Sequence, residues 1–155
     1  MGIRTGMSNP PSSTPQRAIV VREFLPSDLD AAIELWSRSE GVGLNESDSR
    51  DALLRFLARN PGSSAVAMAA GELVGAILCG HDGRRGAIHH LAVAPAYRRR
   101  GVGSELLAYC VSRLREADVP RCNLFLYDDN EVGRRFWERH GWQVVSTWKT
   151  WQRRL

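Results

Sequence analysis

No run of apolar residues approaches the roughly 18 that a membrane span needs, which excludes an integral membrane protein. The start of the chain has no apolar centre of the secretory-signal kind, and Gly6 stands where N-myristoylation requires Ser or Thr. Cysteine is scarce. The three present, Cys79, Cys110 and Cys122, cannot all pair, and none sits in a CxxC or Cys/His metal spacing. These absences predict a cytoplasmic protein with no membrane association, no disulfide framework and no metal. Nor does one sign of charge dominate: 21 Lys and Arg against 17 Asp and Glu leave a net +4. A surplus of that size serves nucleic acid or an anionic cofactor equally well, so the placement of the arginines must decide.

The chain has 155 residues, 43% apolar and 25% charged, the balance of one soluble globular domain. Residues 1–17 are rich in Pro, Ser, Gly and Thr and carry too little apolar surface to offset chain entropy; they are expected to form a mobile tail. The domain is expected over 18–155. Ala18–Val21 reads as a strand, and Ser27, with Asp30 three residues on, as a helix N-cap. Leu29, Ile33 and Trp36 then share one helical face. A second helix is expected over Asp48–Arg59, stopped by Asn60-Pro61-Gly62. Strands Ser64–Ala69 and Leu73–Cys79 form a hairpin, and a strand follows at Ala87–Val93. The remainder reads as helix Val102–Glu116, strand Cys122–Tyr127, helix Glu131–His140 and a final strand Val144–Trp151. The fold class is α/β: a single-domain mixed sheet flanked by helices.

The richest stretch is Leu91-Ala92-Val93-Ala94-Pro95-Ala96-Tyr97-Arg98-Arg99-Arg100-Gly101-Val102-Gly103-Ser104. A strand runs into a glycine-bearing loop that opens an amphipathic helix at once. The first N–H groups of a helix have no internal partners, and its macrodipole adds partial positive charge there. Glycines at 101 and 103 let an anion approach those groups, and Arg98, Arg99 and Arg100 add fixed charge beside them. The combination describes a pyrophosphate cradle. Two other phosphate loops do not fit. A dinucleotide fingerprint needs a third glycine where Leu106 stands, and a Walker loop needs Gly-Lys-Ser/Thr. A nucleic-acid surface is disfavoured, because Arg98–Arg100 are packed beside glycines rather than spread along a face.

The pattern Arg98-x-x-Gly101-x-Gly103, after a strand and opening a helix, resembles motif A of the GCN5-related N-acetyltransferases, which binds the pyrophosphate of acetyl-CoA. The stretch from Asn130 through Gly133, Phe136 and Trp137 to Gly141-Trp142 resembles that family's late helix, and the element order over 18–155 agrees. The resemblance implies acetyl-CoA as co-substrate and transfer to a primary amine of a small molecule or peptide by direct attack in a ternary complex. A non-catalytic acyl-CoA sensor on the same fold is the alternative. The resemblance further implies that the fourth and fifth strands splay. The Leu91, Ala92 and Val93 backbone would then hold the pantetheine arm, with a Val93 N–H near the thioester carbonyl. Residues 98–104, Val102 and Ser104 included, would clasp the diphosphate. Asn130, Gly133, Phe136 and Trp137 would line the far wall.

An acceptor amine must attack as the neutral form, so a base is useful. His89 and His90 stand on the fourth strand. Successive strand residues point to opposite faces, and family members with a base here use the parity of 87, 89, 91 and 93. His89 is therefore expected in the active site and His90 against a helix. The family's usual acid, a Tyr four residues before the late-helix Gly, is replaced by Trp137, whose indole N–H is no proton source; Tyr127 is the candidate substitute. The aromatic final strand is one that could pair between two copies of the chain.

Overall fold

The computed structural model describes residues 18–155, so the tail expected over 1–17 lies outside the described residues. Five strands form one sheet in the order β1 (Ile19–Glu23), β2 (Ala65–Ala69), β3 (Glu72–His81), β4 (Gly86–Val93) and β5 (Cys122–Leu124). The first four run antiparallel and β4 pairs β5 in parallel. Helices α1 (Leu29–Ser37) and α2 (Arg50–Arg59) cover one face; α3 (Val102–Glu116) covers the other, and α4 (Glu131–Arg139) follows β5.

Burial on both faces explains why β2 and β3 read as nearly unbroken apolar runs. Against α3 the sheet presents Ala65, Ala67, Val74, Ile77 and Ile88, which meet Val102, Leu106, Cys110 and Leu114. Against α1 and α2 it presents Val66, Ala76, Leu78 and Ala92, which meet Leu29, Trp36, Leu53 and Leu57. Leu29 and Trp36 are wholly buried, each worth about 1.5–3 kcal/mol relative to exposure.

Three local expectations are corrected. Ser27 caps no helix: the turn before α1 is held by Asp28, whose carboxylate accepts from Leu25 N–H at 2.8 Å and from Arg22 at 2.7 and 2.9 Å. The Arg22 guanidinium holds the Asp28 carboxyl below its ordinary pKa. The second helix starts at Arg50, not Asp48; Ser49 caps it through Ala52 N–H, and Asp48 ends a separate 3-10 turn, Glu46–Asp48. Finally, β5 stops at Leu124 and no strand forms over Val144–Trp151. Among the described residues they find no partner edge, and Val144, Trp148 and Trp151 stay exposed.

Candidate active site

The segment expected to hold a diphosphate runs directly into α3. Gly101 is the residue before α3, with φ +77°, and no side chain caps the helix. Among the described residues the N–H groups of Val102, Gly103 and Ser104 have no protein acceptor. The two glycines serve different needs. A Cβ on Gly101 would meet nothing within 4 Å, so its requirement is the left-handed backbone; a Cβ on Gly103 would come within 3.2 Å of the Phe136 ring. Arg99 is itself left-handed at φ +59°. All three arginines are exposed. Arg98 Nε donates to the Val93 carbonyl at 3.0 Å, which ties the loop to β4, and the Arg100 guanidinium lies 5.4 Å above the Tyr97 ring. Cations beside a helix N-terminus repel its dipole. An anion relieves that repulsion.

Beside the cradle lies a slot. β4 and β5 pair only at Gly86–Cys122, Ala87–Asn123 and Ile88–Leu124, while β4 continues to Val93. Ala94 N–H donates across to the Val74 carbonyl on β3 at 2.8 Å. By strand alternation, the N–H and C=O of Val93 therefore point to the other edge, into the gap. The Arg98 bond to the Val93 carbonyl fits that direction and leaves the Val93 N–H open. The far wall is the turn from Tyr127 to Asn130 and the start of α4, where Asn130 Oδ1 accepts from Gly133 N–H at 2.8 Å. A Cβ on Gly133 would meet the Asn130 amide at 2.8 Å, so the glycine is required by this cap. The loop between α1 and α2 reaches the same wall: Gly41 lies against the Asn130 side chain and Gly43 against the Tyr127 hydroxyl.

The histidines depart from the expected alternation. Leu78 pairs with His89 and Ala76 with Ala92, so one β3 residue opposes two on β4. This bulge puts His90 at φ +53°, a conformation costing about 1–3 kcal/mol for a non-glycine residue. Both imidazoles then lie on the α1/α2 side: His89 meets Phe56 edge-on at 5.9 Å, and His90 lies 5.3 Å from the Trp36 ring. Leu91 and Val93 pack toward α3 instead. The premise that 89, 91 and 93 share a face fails because the extra residue resets the parity. His90 also bonds Asp48, Nε2 to Oδ1 at 2.6 Å. Among the described residues His89 has no such partner, and burial, followed by the neighbouring His90 charge, lowers its pKa.

A model of the acetyltransferase (GNAT) family matches residues 29–142. The chain belongs to the GNAT family of acetyltransferases. It is 34% identical over 127 residues to the acetyltransferase SG1711 of Sodalis glossinidius, across 82% of this chain and 89% of that one. Its structure is similar to Ard1 from Thermoplasma volcanium, with a TM-score of 0.74 and 27% identity over 83% of this chain and 85% of that one. The PaiA N-acetyltransferase of Thermoplasma acidophilum, solved with coenzyme A, shares the fold at a TM-score of 0.74. That match is 22% identical and covers 84% of this chain and 92% of that one.

Within this GNAT fold, Trp137 packs edge-on against Phe136 and Trp142, each at 5.1 Å, and helps cover the α3 side of the core. An indole N–H is no proton source. Cys79, Cys110 and Cys122 are free thiols, although α3 and the sheet bring them together. Burial pushes Cys122 up to about 12. The adjacent Cys79 thiol, then burial, raises Cys110. A raised pKa favours the protonated thiol over the thiolate. Three groups that touch the candidate site were not singled out from the sequence: Asp48, which bonds His90, the Gly41–Gly43 loop against Asn130 and Tyr127, and His140, which bonds Ser104. Asp48 alone carried a signal, since Asn45 and Asp48 at i and i+3 suit a capped turn; its partner across 42 residues carried none.

Proposed function

We propose that this acetyltransferase moves the acetyl group of acetyl-CoA to a primary amine of a small molecule or peptide by direct attack within a ternary complex. The observation that carries the reading is the uncapped α3 N-terminus, flanked by Arg98–Arg100, opening beside the unpaired edge of β4. In this reading the N–H groups of Val102, Gly103 and Ser104 and the three guanidinium groups hold the diphosphate. The Leu91, Ala92 and Val93 backbone takes the pantetheine arm, and Asn130, Gly133, Phe136 and Trp137 form the opposite wall.

The Val93 N–H donates to the thioester oxygen as it becomes an oxyanion, an effect typically worth about 2.7–4 kcal/mol. A lysine-like amine with pKa about 10.4 is neutral only about 0.04% of the time at pH 7, a penalty near 4.6 kcal/mol; an α-amine at about 7.7–8.0 pays roughly 1.0–1.4. A proton acceptor near the slot therefore matters most for the more basic acceptors, and the β4 imidazoles supply one. The departing thiol, at roughly the cysteine value of 8.5, needs only a weak acid. Tyr127, whose hydroxyl lies against Gly43 at the far wall, is suited to that.

Calorimetry with CoA tests the reading. The unaltered protein should bind, and Gly101→Val should lose at least tenfold in affinity while its circular dichroism is kept. Absence of binding in the unaltered protein, or equal binding by the variant, would overturn it. Release of free thiol from acetyl-CoA in the presence of a primary amine then tests transfer.

A further inference from the structure

We infer that His90, held by Asp48, is the group that takes the acceptor's proton, in place of His89; the inference rests on the acetyl-transfer reading above. Asp48 is positioned before any ligand arrives. Its Oδ2 accepts from Asn45 N–H at 3.0 Å, and its Oδ1 faces His90 Nε2 at 2.6 Å. Both side chains are mostly shielded, at 11% and 14% exposed. A carboxylate can only accept, so Nε2 carries the hydrogen and the lone pair of the neutral ring sits on Nδ1.

That second nitrogen is free. No described residue bonds it, and the one fully buried side-chain nitrogen or oxygen lacking a partner among the described residues is Trp36 Nε1, so Nδ1 keeps contact with solvent. A base whose outer nitrogen is open and whose inner nitrogen is fixed by a carboxylate is the arrangement that nucleophilic and general-base sites use. The bulge sets His90 on β4 two residues past the last pair with β5, where that edge of β4 is open. Among the described residues, His89 has no carboxylate to fix its ring.

The groups facing His90 are few. Among the described residues, Asp48 comes from the 3-10 turn before α2, His89 from β4 and the uncharged Trp36 ring from α1, while the β3 residue across the bulge is the apolar Ile77. In the reaction Nδ1 takes a proton from the amine, the nitrogen lone pair forms the N–C bond, and the C–S bond breaks. The electron pair leaves on sulfur, Tyr127 protonates it and regains a proton from solvent, and His90 returns the amine's proton to solvent. Asp48 is a positioning residue.

The test combines imidazole 15N spectra of the full chain with pH–rate profiles. The spectra should show His90 protonated on Nε2 and not on Nδ1, with its pKa falling in Asp48→Asn. An Nδ1–H tautomer, or a His90 titration indifferent to Asp48→Asn, overturns the inference without any acceptor being known. Kinetics use acetyl-CoA with glycinamide, spermidine and glucosamine. His90→Gln should lower kcat/KM by about 100-fold or more and abolish the acid limb, which His89→Gln retains. Asp48→Asn should lose roughly 10-fold and move that limb to lower pH. CoA affinity, measured alongside, separates the two levels. Loss of CoA binding by the unaltered protein defeats the acetyl-transfer reading. Retained binding and turnover with an unmoved limb in His90→Gln defeats only the role of His90.

Discussion

Ser104, at the first turn of α3, and His140, just past the end of α4, are joined by a 2.8 Å contact between Oγ and Nε2. His140 Nδ1 stands 2.7 Å from the Phe136 carbonyl, which can only accept. Nδ1 therefore carries the hydrogen, and in the neutral ring Nε2 accepts from the Ser104 hydroxyl. The proton of that hydroxyl is spent inside the protein, so what Ser104 offers a diphosphate is its backbone N–H. The same seam holds the Phe136 ring 4.3 Å from His140 and against Gly103, which makes α4 a brace for the cradle.

Two substitutions separate the hydroxyl from the amide. Ser104→Ala should cost about 0.5–1.5 kcal/mol in urea unfolding, the worth of one hydrogen bond. Ser104→Pro removes the N–H at a first-turn position where proline is tolerated. CoA affinity measured by calorimetry should fall about 10-fold further in the proline variant than in the alanine variant.

Alanine at the two cradle glycines should fail for different reasons. At Gly101 the space is open and φ is +77°, so the cost is backbone strain of about 1–2 kcal/mol. At Gly103 the added carbon stands 3.2 Å from Phe136, and the ring must give way. Combining Gly103→Ala with Phe136→Leu should recover CoA affinity lost by Gly103→Ala, whereas the same partner should do nothing for Gly101→Ala.

The loop over the slot is coupled to the far wall through Gly43 and the Tyr127 hydroxyl, which leave no room for a Cβ between them. Gly43→Ala should displace the tyrosine and lower kcat. A double-mutant cycle with Tyr127→Phe should report a coupling of about 0.5–3 kcal/mol in kcat/KM. Additive effects would show that loop and wall act independently.

His89 makes acid sensitivity partly local. Burial lowers its pKa in the folded protein, so below the unfolded value near 6.5 the unfolded chain binds the extra proton and the fold loses stability. That contribution is complete above about pH 6.5 and declines as pH falls toward the folded pKa. Urea midpoints measured from pH 7.5 to 5 should drop less steeply for His89→Phe than for the unaltered chain.

The elements that the amino-acid order set by itself are those built from neighbours along the chain. The α3 boundaries, Val102–Glu116, follow from a glycine that permits φ +77° and an apolar stripe at helical spacing. The Asn130 cap follows from a side chain reaching three residues ahead. The cradle is such a local object, and with it came the family and the cofactor expected to bind there. What only tertiary structure decided depends on register between distant segments. One unmatched residue between β3 and β4 turned His90 to the side of His89 and within reach of Asp48. The α1–α2 loop met Tyr127 and Asn130, and the segment after α4 was left without an edge to join. Strand alternation is a rule about consecutive residues, and a bulge is chosen by the partner strand, which the local pattern does not contain.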